Sequence, residues 1–454
     1  MSASRRHGTE RPWSSDRLGG YEFSVPSGWE HAAQSTADVS VFTAPEGTGQ
    51  DSDGHRPSLV ATLETCTVTT AQYSTQAMSE FMVQLPLLRI LDVDLWAPTG
   101  LNPTSGRRLE FLHTAPGSLV HVTQYFVVHE GTAFALTLTC SERQLTRWDQ
   151  MAWDLGDRVR INGATRHDAP EGPRAPVLPR LAEAASVRHG APLEALSVLA
   201  PEQPFRSAGP VLTDEAAGLL LHLAATGEGP ASGSDLESSP WTELVSAGLT
   251  EPGIGLSPQG TTVTGPLLEP AGRATLTAHR DGRETRLTLF HGAEGQTLLL
   301  AQTPVGSIGS DGQGILHPTP NGTRVDFLPL WRLAETCGSW LGITPAWRTA
   351  VEQAPVRLED FDRRVTQQTP SPAGLDAALH AAWTEPWVVW QAEGDGGRVT
   401  YLHAGEAGHY LVESDGLDHV LLTSVPARNI HRHLSALLAP AGAGIGYREQ
   451  PRDG

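Results

Sequence analysis

Residues 286–300, RLTLFHGAEGQTLLL, and residues 398–412, RVTYLHAGEAGHYLV, are two versions of one pattern. Arg286, Thr288, His291 and Glu294 match Arg398, Thr400, His403 and Glu406 at a constant offset of 112 residues, without a gap. Each copy is an apolar alternating run, a glycine-containing break and a second apolar run, which is the pattern of a β-hairpin. Upstream, ATLTAHRDGRE (274–284) parallels WVVWQAEGDGG (387–397), and the Asp281-Gly282 pair is a hairpin turn signal. Downstream, both copies pass through a further strand into an apolar helix: VDFLPLWRLAETCGSWLG (325–342) in the first, HVLLTSVP then ARNIHRHLSALLA (419–439) in the second. A spacing of 112 residues is far above solenoid periods. The reading is a duplicated half-domain, with halves at about 270–342 and 380–440, joined sheet to sheet about a pseudo-twofold axis.

Two helices precede the first copy. In LTDEAAGLLLHLAATGE (212–228), Thr213 is placed to cap the helix before the acidic pair Asp214 and Glu215. Ala216, Leu219, Leu220 and Leu223 form its apolar stripe. PWTELVSAGLTEPGIGLSPQG (240–260) reads as a second short helix ending at Gly248. The arrangement resembles the EspG family of the type VII (ESX) secretion system. The likeness lies in "LTDEAAGLLLHLAATG", "ELVSAGLTEPGIGLSPQG" and the doubled hairpin "LTLFHGAEGQTLLL". The resemblance implies a module over 209–445 of two antiparallel half-domains with flanking helices. It also implies a cytosolic chaperone for secreted helical substrates of the PE/PPE type.

The first half of the chain reads differently. Residues 1–18 are polar and aperiodic and are expected to be a disordered tail. Short strands follow at YEFSVPSGW (21–29), VSVFTAP (39–45) and SLVATLETC (58–66). Tyr73, Ala77, Met78, Phe81, Met82 and Leu85 recur at helical spacing, and Pro86 ends that helix. LRILDVDL (88–95), SGRRLEFLHTA (105–115), SLVHVTQYFVVHEGT (118–132) and AFALTLTCS (133–141) read as strands, with a hairpin turn at residues 129–132. SERQLTRWDQMAWDL (141–155) closes with a stripe of Leu145, Trp148, Met151 and Leu155. The fold class is therefore α+β. Residues 19–161 resemble the LpqN/DcrB-type families, which implies a PsbP-like α/β/α sandwich. Family members are often secreted lipoproteins, but no signal segment or lipobox cysteine is present, so that localisation does not transfer. Residues 162–208, rich in Pro, Ala, Arg and Glu, are expected to be a linker.

Composition narrows the function classes. All 32 basic residues are arginine, so a Walker-A lysine, a Schiff base and a Ser-Lys dyad are excluded. A net charge of −19 opposes binding to nucleic acid and to anionic membranes. The missing lysine and abundant Ala, Gly and Pro point to a GC-rich, actinobacterial source. Cys66, Cys140 and Cys337 have no C-x-x-C spacing and are expected to be reduced, buried thiols. With no apolar leader and no apolar run near 18 residues, the expected location is the cytoplasm.

Catalytic patterns are missing: there is no G-x-S-x-G, H-E-x-x-H or G-x-G-x-x-G after a strand. Asp51-Ser52-Asp53-Gly54 imitates the start of a calcium loop without its closing Glu and reads as a surface turn. His431 and His433 with His419 are too few and poorly spaced for zinc. His291 and His403 occupy equivalent repeat positions, either as paired ligands or bases or, preferred here, as half-buried residues before a turn. Trp383, Trp387, Trp390, Tyr401 and Tyr410 are aromatics that fit a core, or an exposed groove for an amphipathic helix. They are the candidate partner-binding residues. The glycine-rich 306–314 carries no basic residue and reads as a connector rather than a phosphate loop. A winged-helix reading, with "LSPQG" before a wing, founders on Glu243 in the second helix, which has no basic residue.

The expectation is a non-enzymatic cytosolic protein without cofactor or metal, whose partners are proteins, small helical secretion substrates among them. An enzyme with a motif-free site in a cleft between the modules, a winged-helix regulator and a purely structural scaffold are the alternatives.

Overall fold

The computed structural model describes residues 13–46, 55–85, 87–101, 105–115, 118–161, 194, 196, 199–227, 239–251, 255–293, 295–305, 322–346 and 353–439. These residues form two compact units, one reaching from Trp13 to Ile161 and including Glu194, the other running from Leu196 onward. The fold is mixed α+β.

In the first unit, seven strands form one antiparallel sheet in the order β3-β4-β5-β9-β8-β7-β6. They are β3 (Glu30–His31), β4 (Val39–Thr43), β5 (Ser58–Thr65), β6 (Arg89–Trp96), β7 (Gly106–Ala115), β8 (Ser118–His129) and β9 (Thr132–Ser141). The turn between β8 and β9 uses left-handed Glu130 (φ 48°) and Gly131 (φ 76°), the hairpin geometry expected there. Helix α1 (Thr70–Gln84) begins at a capping box of Thr69 and Gln72 and covers one face, with Tyr73 on Phe126 and Phe81 on Phe111. Helix α2 (Leu145–Asp157) covers the other face and buries Leu145, Trp148, Met151 and Leu155, the stripe read from sequence. Beside it lies a second sheet, β1 (Trp13–Leu18), β2 (Tyr21–Pro26) and β10 (Arg160–Ile161), in the order β1-β2-β10. Tyr21 stacks on Phe134 at 4.4 Å, and Phe23 packs against Phe42 and Phe134.

Strand β1 corrects the expected tail: residues 13–18 pair along their whole length with β2. Polar WSSDRL carries no apolar alternation because its outer face meets water, so only the partner strand specifies it. Residues 1–12 and 162–193 lie outside the described residues. The expected linker is corrected at its far end. Glu194 is buried in the first unit, while Leu196 and Leu199 are buried in the second, where α3 (Leu199–Glu202) begins.

The second unit is built on a ten-stranded antiparallel sheet, β11-β17-β16-β15-β14-β19-β20-β21-β22-β18. The first half contributes β11 (Val211–Leu212), β14 (Pro270–Arg280), β15 (Arg283–Gly292), β16 (Gln296–Gln302) and β17 (Thr323–Pro329). The second contributes β18 (Ala354–Arg357), β19 (Trp387–Gly394), β20 (Gly397–Ala404), β21 (His409–Ser414) and β22 (His419–Val425). The small β12 (Thr250–Glu251) and β13 (Gly255–Leu256) pair separately.

The strand order is a palindrome about the β14–β19 junction. The registers repeat as well: His291 lies opposite Thr297 and His403 opposite His409, the same pairing 112 residues on. The repeat is longer than the sequence revealed. Each half opens with an edge strand and a helix, β11 with α4 (Asp214–Thr226) and β18 with α8 (Leu358–Thr366). Next come α6 (Pro258–Leu268) and α9 (Ala377–Thr384), each leading into its hairpin, and each half ends on a helix, α7 (Leu333–Trp340) and α10 (Ala427–Leu437). Helix α5 (Ser239–Ser246) has no counterpart among the described residues.

One face of this sheet packs on α7 and α10, through Leu276, Leu289, Trp390, Tyr401, Cys337 and Ile430. The opposite face is covered half by half. Helices α4 and α5 and partly buried residues of α6 pack over Leu298 and Leu300, and α8 and α9 pack over Trp387, Leu402 and Tyr410. Helix α6 was not anticipated. Its Thr, Gly and Pro content suppresses a helical reading; the signals were Ser257, whose hydroxyl accepts from Gly260 N–H (2.9 Å), and Pro258 at the first turn.

Candidate functional site

The five aromatics do not line a groove. Trp383 and Trp387 are 3% exposed, and Trp390, Tyr401 and Tyr410 are 0% exposed. Trp383, Trp387 and Tyr410 fill the core under α8 and α9, whereas Trp390 and Tyr401 fill the core under α7 and α10. The partner-binding assignment is therefore corrected: strand alternation sends neighbours in sequence to opposite faces, and both faces are roofed by helices. Four of the five use their polar atoms internally, Tyr410 by donating to Ala407 O (3.1 Å). Trp383 and Trp387 donate to Thr369 O (3.0 Å) and Ala382 O (2.7 Å), and the Tyr401 hydroxyl bonds His433 Nδ1.

The repeat positions are a better guide. On the face roofed half by half, the strands next to the junction present two cross-strand rows. One is Thr288, Thr275, Glu393 and Arg398; the other is Arg286, Thr277, Gln391 and Thr400. Rotation about the junction exchanges the rows, bringing Arg286 onto Arg398 and Thr288 onto Thr400. These are the matched pairs of the sequence repeat. Every member is exposed or half-buried. Gln391 Nε2 donates to Thr400 Oγ1 (3.1 Å), Arg398 Nη2 donates to Gln391 Oε1 (2.6 Å), and Arg286 pairs with Glu284 (3.2 Å). Helix α6 reaches β14 and β15 on one side and α8 reaches β14 and β19 on the other. Four strands at about 4.8 Å spacing make a floor roughly 14 Å wide, against a helix diameter of about 10–12 Å. The strip has hydrogen-bonding groups of both polarities, Arg and Thr as donors and Glu, Gln and Thr as acceptors.

His291 and His403 lie on the other face, at equivalent hairpin ends. His291 Nδ1 bonds Thr297 Oγ1 (3.1 Å). His403 instead stacks on His409, ring centroids 4.5 Å apart. Burial pushes all three imidazoles towards the neutral form, His409 down to about 4. The stacked rings present faces, not converging lone pairs, which does not suit a shared metal. His419 is held by Asp415 at 3.5 Å, while His431 is buried on α10. Among the described residues no group of three or more His, Cys, Asp or Glu is placed to hold a metal ion.

Sequence reading missed the buried charge network of the first unit. Arg108 on β7 meets Asp94 (3.7 Å), Glu110, the Tyr125 hydroxyl (3.2 Å) and the face of Trp153 (4.3 Å). His121 on β8 bridges Glu110 (2.8 Å) and Glu142 (3.2 Å). Desolvation alone would lower the His121 pKa, but the two carboxylates override it and hold it up at about 9. Arg107 grips Glu194 through Nε (2.9 and 3.2 Å). The signal available was RRLE (107–110), with three charges inside a strand whose flanks are apolar. The network is closed to solvent and holds the fold. A polar cleft of about 510 Å³ lies nearby, lined by Trp13, Glu22, Asp154, Asp157, Arg158 and Arg160 among others. The expected turn at 51–54, Glu294 and the connector 306–314 lie outside the described residues. No described helix is long and apolar enough to cross a membrane.

No family model matches this chain, and no curated protein matches it. Solved structures similar to part of it include LpqN of Mycobacterium tuberculosis, described as involved in cell envelope biogenesis. It is 20% identical over 34% of this chain and 87% of LpqN, with a TM-score of 0.25. Cyanobacterial PsbP from Synechocystis is 12% identical over 36% of this chain and 98% of that protein, with a TM-score of 0.26. The Ran-binding protein Mog1p of Saccharomyces cerevisiae is 10% identical over 33% and 96%, with a TM-score of 0.26. At TM-scores this low the likenesses carry no inference about what this chain binds.

Proposed function

We propose that this protein is a non-catalytic cytosolic binding protein, a type VII secretion-associated chaperone or adaptor of EspG type for small helical substrates. The observation that supports this reading is the polar strip at the junction of the two sheet halves. It carries the matched pairs Arg286 with Arg398 and Thr288 with Thr400, and its floor has the width of one helix. A helix laid there exchanges hydrogen bonds with Thr, Gln and Arg side chains while α6 and α8 flank it. The first unit, a PsbP-like sandwich in this proposal, supplies a second binding surface.

The test is capture from actinobacterial cytosol on the intact chain. Recovery of small helical type VII substrates is the expected result, reduced at least about tenfold by Arg286→Ser with Arg398→Ser, a loss of about 1.4 kcal/mol. A folded chain that recovers none ends the chaperone reading. Recovery untouched by the double variant moves the site off the strip.

A further inference from the structure

Duplication has kept a histidine at the end of the first strand of each repeated hairpin and has let its surroundings diverge. In the first half, His291 bonds Thr297 across the β15–β16 hairpin, and Asp395, from the β19–β20 turn of the other half, faces it across Gly272. In the second half the residue opposite His403 is His409, and the charge facing it from the β14–β15 turn is Arg280, itself 3.7 Å from Asp281. One hairpin end thus holds a histidine, a hydroxyl and an anion across the junction; the other holds two histidines and a cation.

The second arrangement has no place for a proton. His409 is 2% exposed and donates from Nε2 to Thr344 O (2.8 Å), in the segment that follows α7. Its Nδ1 and that of His403 are shut off from solvent and have no hydrogen-bond partner. Protonating His409 creates a buried N–H donor without an acceptor beside a stacked second ring, and protonating His403 sets a charge beside His409 and Arg280 that the Gly408 backbone only partly offsets. Other titratable groups nearby do not offset this. The Glu385 carboxylate accepts from the backbone N–H of Glu406 at the β20–β21 turn (3.3 Å), and His433 from α10 is bonded to Tyr401.

We propose that the stacked pair His403–His409 is an acid-sensitive interlock: protonation releases the β20–β21 hairpin from Thr344 and from the β14–β15 turn, while the β15–β16 hairpin stays closed. The direction agrees with burial, which keeps both rings neutral and pushes His409 down to about 4. Acid therefore withdraws stability from this end as the pH falls from about 6.5 towards 4.

The test is hydrogen–deuterium exchange on the full chain, corrected for intrinsic rates and read separately for β15–β16 and β20–β21. Wild-type β20–β21 is expected to lose protection over that acid range before β15–β16 does. His409→Thr, which rebuilds the first-half pairing, is expected to move the loss about one pH unit lower. If both hairpins open together, or His409→Thr leaves the midpoint in place, the proposal is wrong. Should His409→Thr not fold at neutral pH, Thr297→His decides instead: it must confer the same acid lability on β15–β16, and an unchanged β15–β16 refutes the interlock.

Discussion

His121 is protonated because Glu110 and Glu142 hold it from either side, not because its surroundings are polar. Its proton is bound more tightly in the folded chain, so its contribution is complete below about pH 6.5 and is lost as the pH rises through about 9. Denaturant titrations of the full chain are expected to show an alkaline drop on the order of 2 kcal/mol over that window. His121→Gln should abolish the drop and cost roughly 2–4 kcal/mol at neutral pH, since it strips a partner from a buried ion cluster. A titration curve with the same alkaline slope in both proteins would assign the drop elsewhere. Glu243, read in the sequence only as an argument against a DNA-binding helix, turns out to be a cap. Its carboxylate accepts from Thr213 N–H and Thr213 Oγ1, both at 2.7 Å, while Thr213 caps α4 through Ala216 N–H. Glu243→Ala is expected to lower unfolding free energy by about 1 kcal/mol, measurable as a shifted urea midpoint at unchanged slope.

Elements were legible where apolar residues recur at one period or run unbroken between turn residues. The stripe Leu145, Trp148, Met151 and Leu155 gave α2, period-two alternation gave β14 and β15, and apolar runs bounded by turns gave β7, β8 and β9, which are buried on both faces. What was not legible is specified by packing. Residues 354–384 hold β18, α8 and α9, whose amphipathic signal is short and interrupted by polar turns. Helix α6 contradicts its own propensities. Glycine in a helix is normally improved by alanine, by up to about 1 kcal/mol, and Gly260 stands in the first turn of α6. Here an added Cβ would stand 2.0 Å from Leu249 O. Gly260→Ala is therefore expected to destabilise the second unit by roughly 2–3 kcal/mol, and a stabilised variant in thermal melts would refute that packing. The aromatics misled for a related reason: alternation identifies which residues share a face but not whether a helix covers it. Trp387→Ala and Trp390→Ala are expected to cost about 3–5 kcal/mol each. In folded preparations they should leave partner affinity unchanged, whereas Arg286 and Arg398 variants should do the reverse.

Across the whole molecule, the duplication was readable from a few matched residues because register is preserved where hairpins pair. The proposed binding strip lies where the two copies meet, and no single stretch of sequence displays it. The α+β class and the two-unit division were likewise readable, while the tail and linker limits were not, since Trp13–Leu18 and Glu194 are ordered by distant partners. With a net charge of −19, retention on a polyanion column at physiological salt is expected to be negligible; firm retention would place an arginine patch above the average field.

The palindromic sheet also implies a history. Its outer edges are short strands, β11 next to Pro210 and β18 containing Pro355, both poor templates for further pairing. The strands that meet at the centre, β14 and β19, are long, and β14 spans Pro270–Arg280. A solitary ancestral half would have exposed that strand as a bare edge, and pairing with its own twin is the symmetric way to close it. A head-to-tail fusion of two such halves would leave the present strand order. Fusion freed each copy of the contact to vary without its twin, and Thr297 against His409 records that freedom.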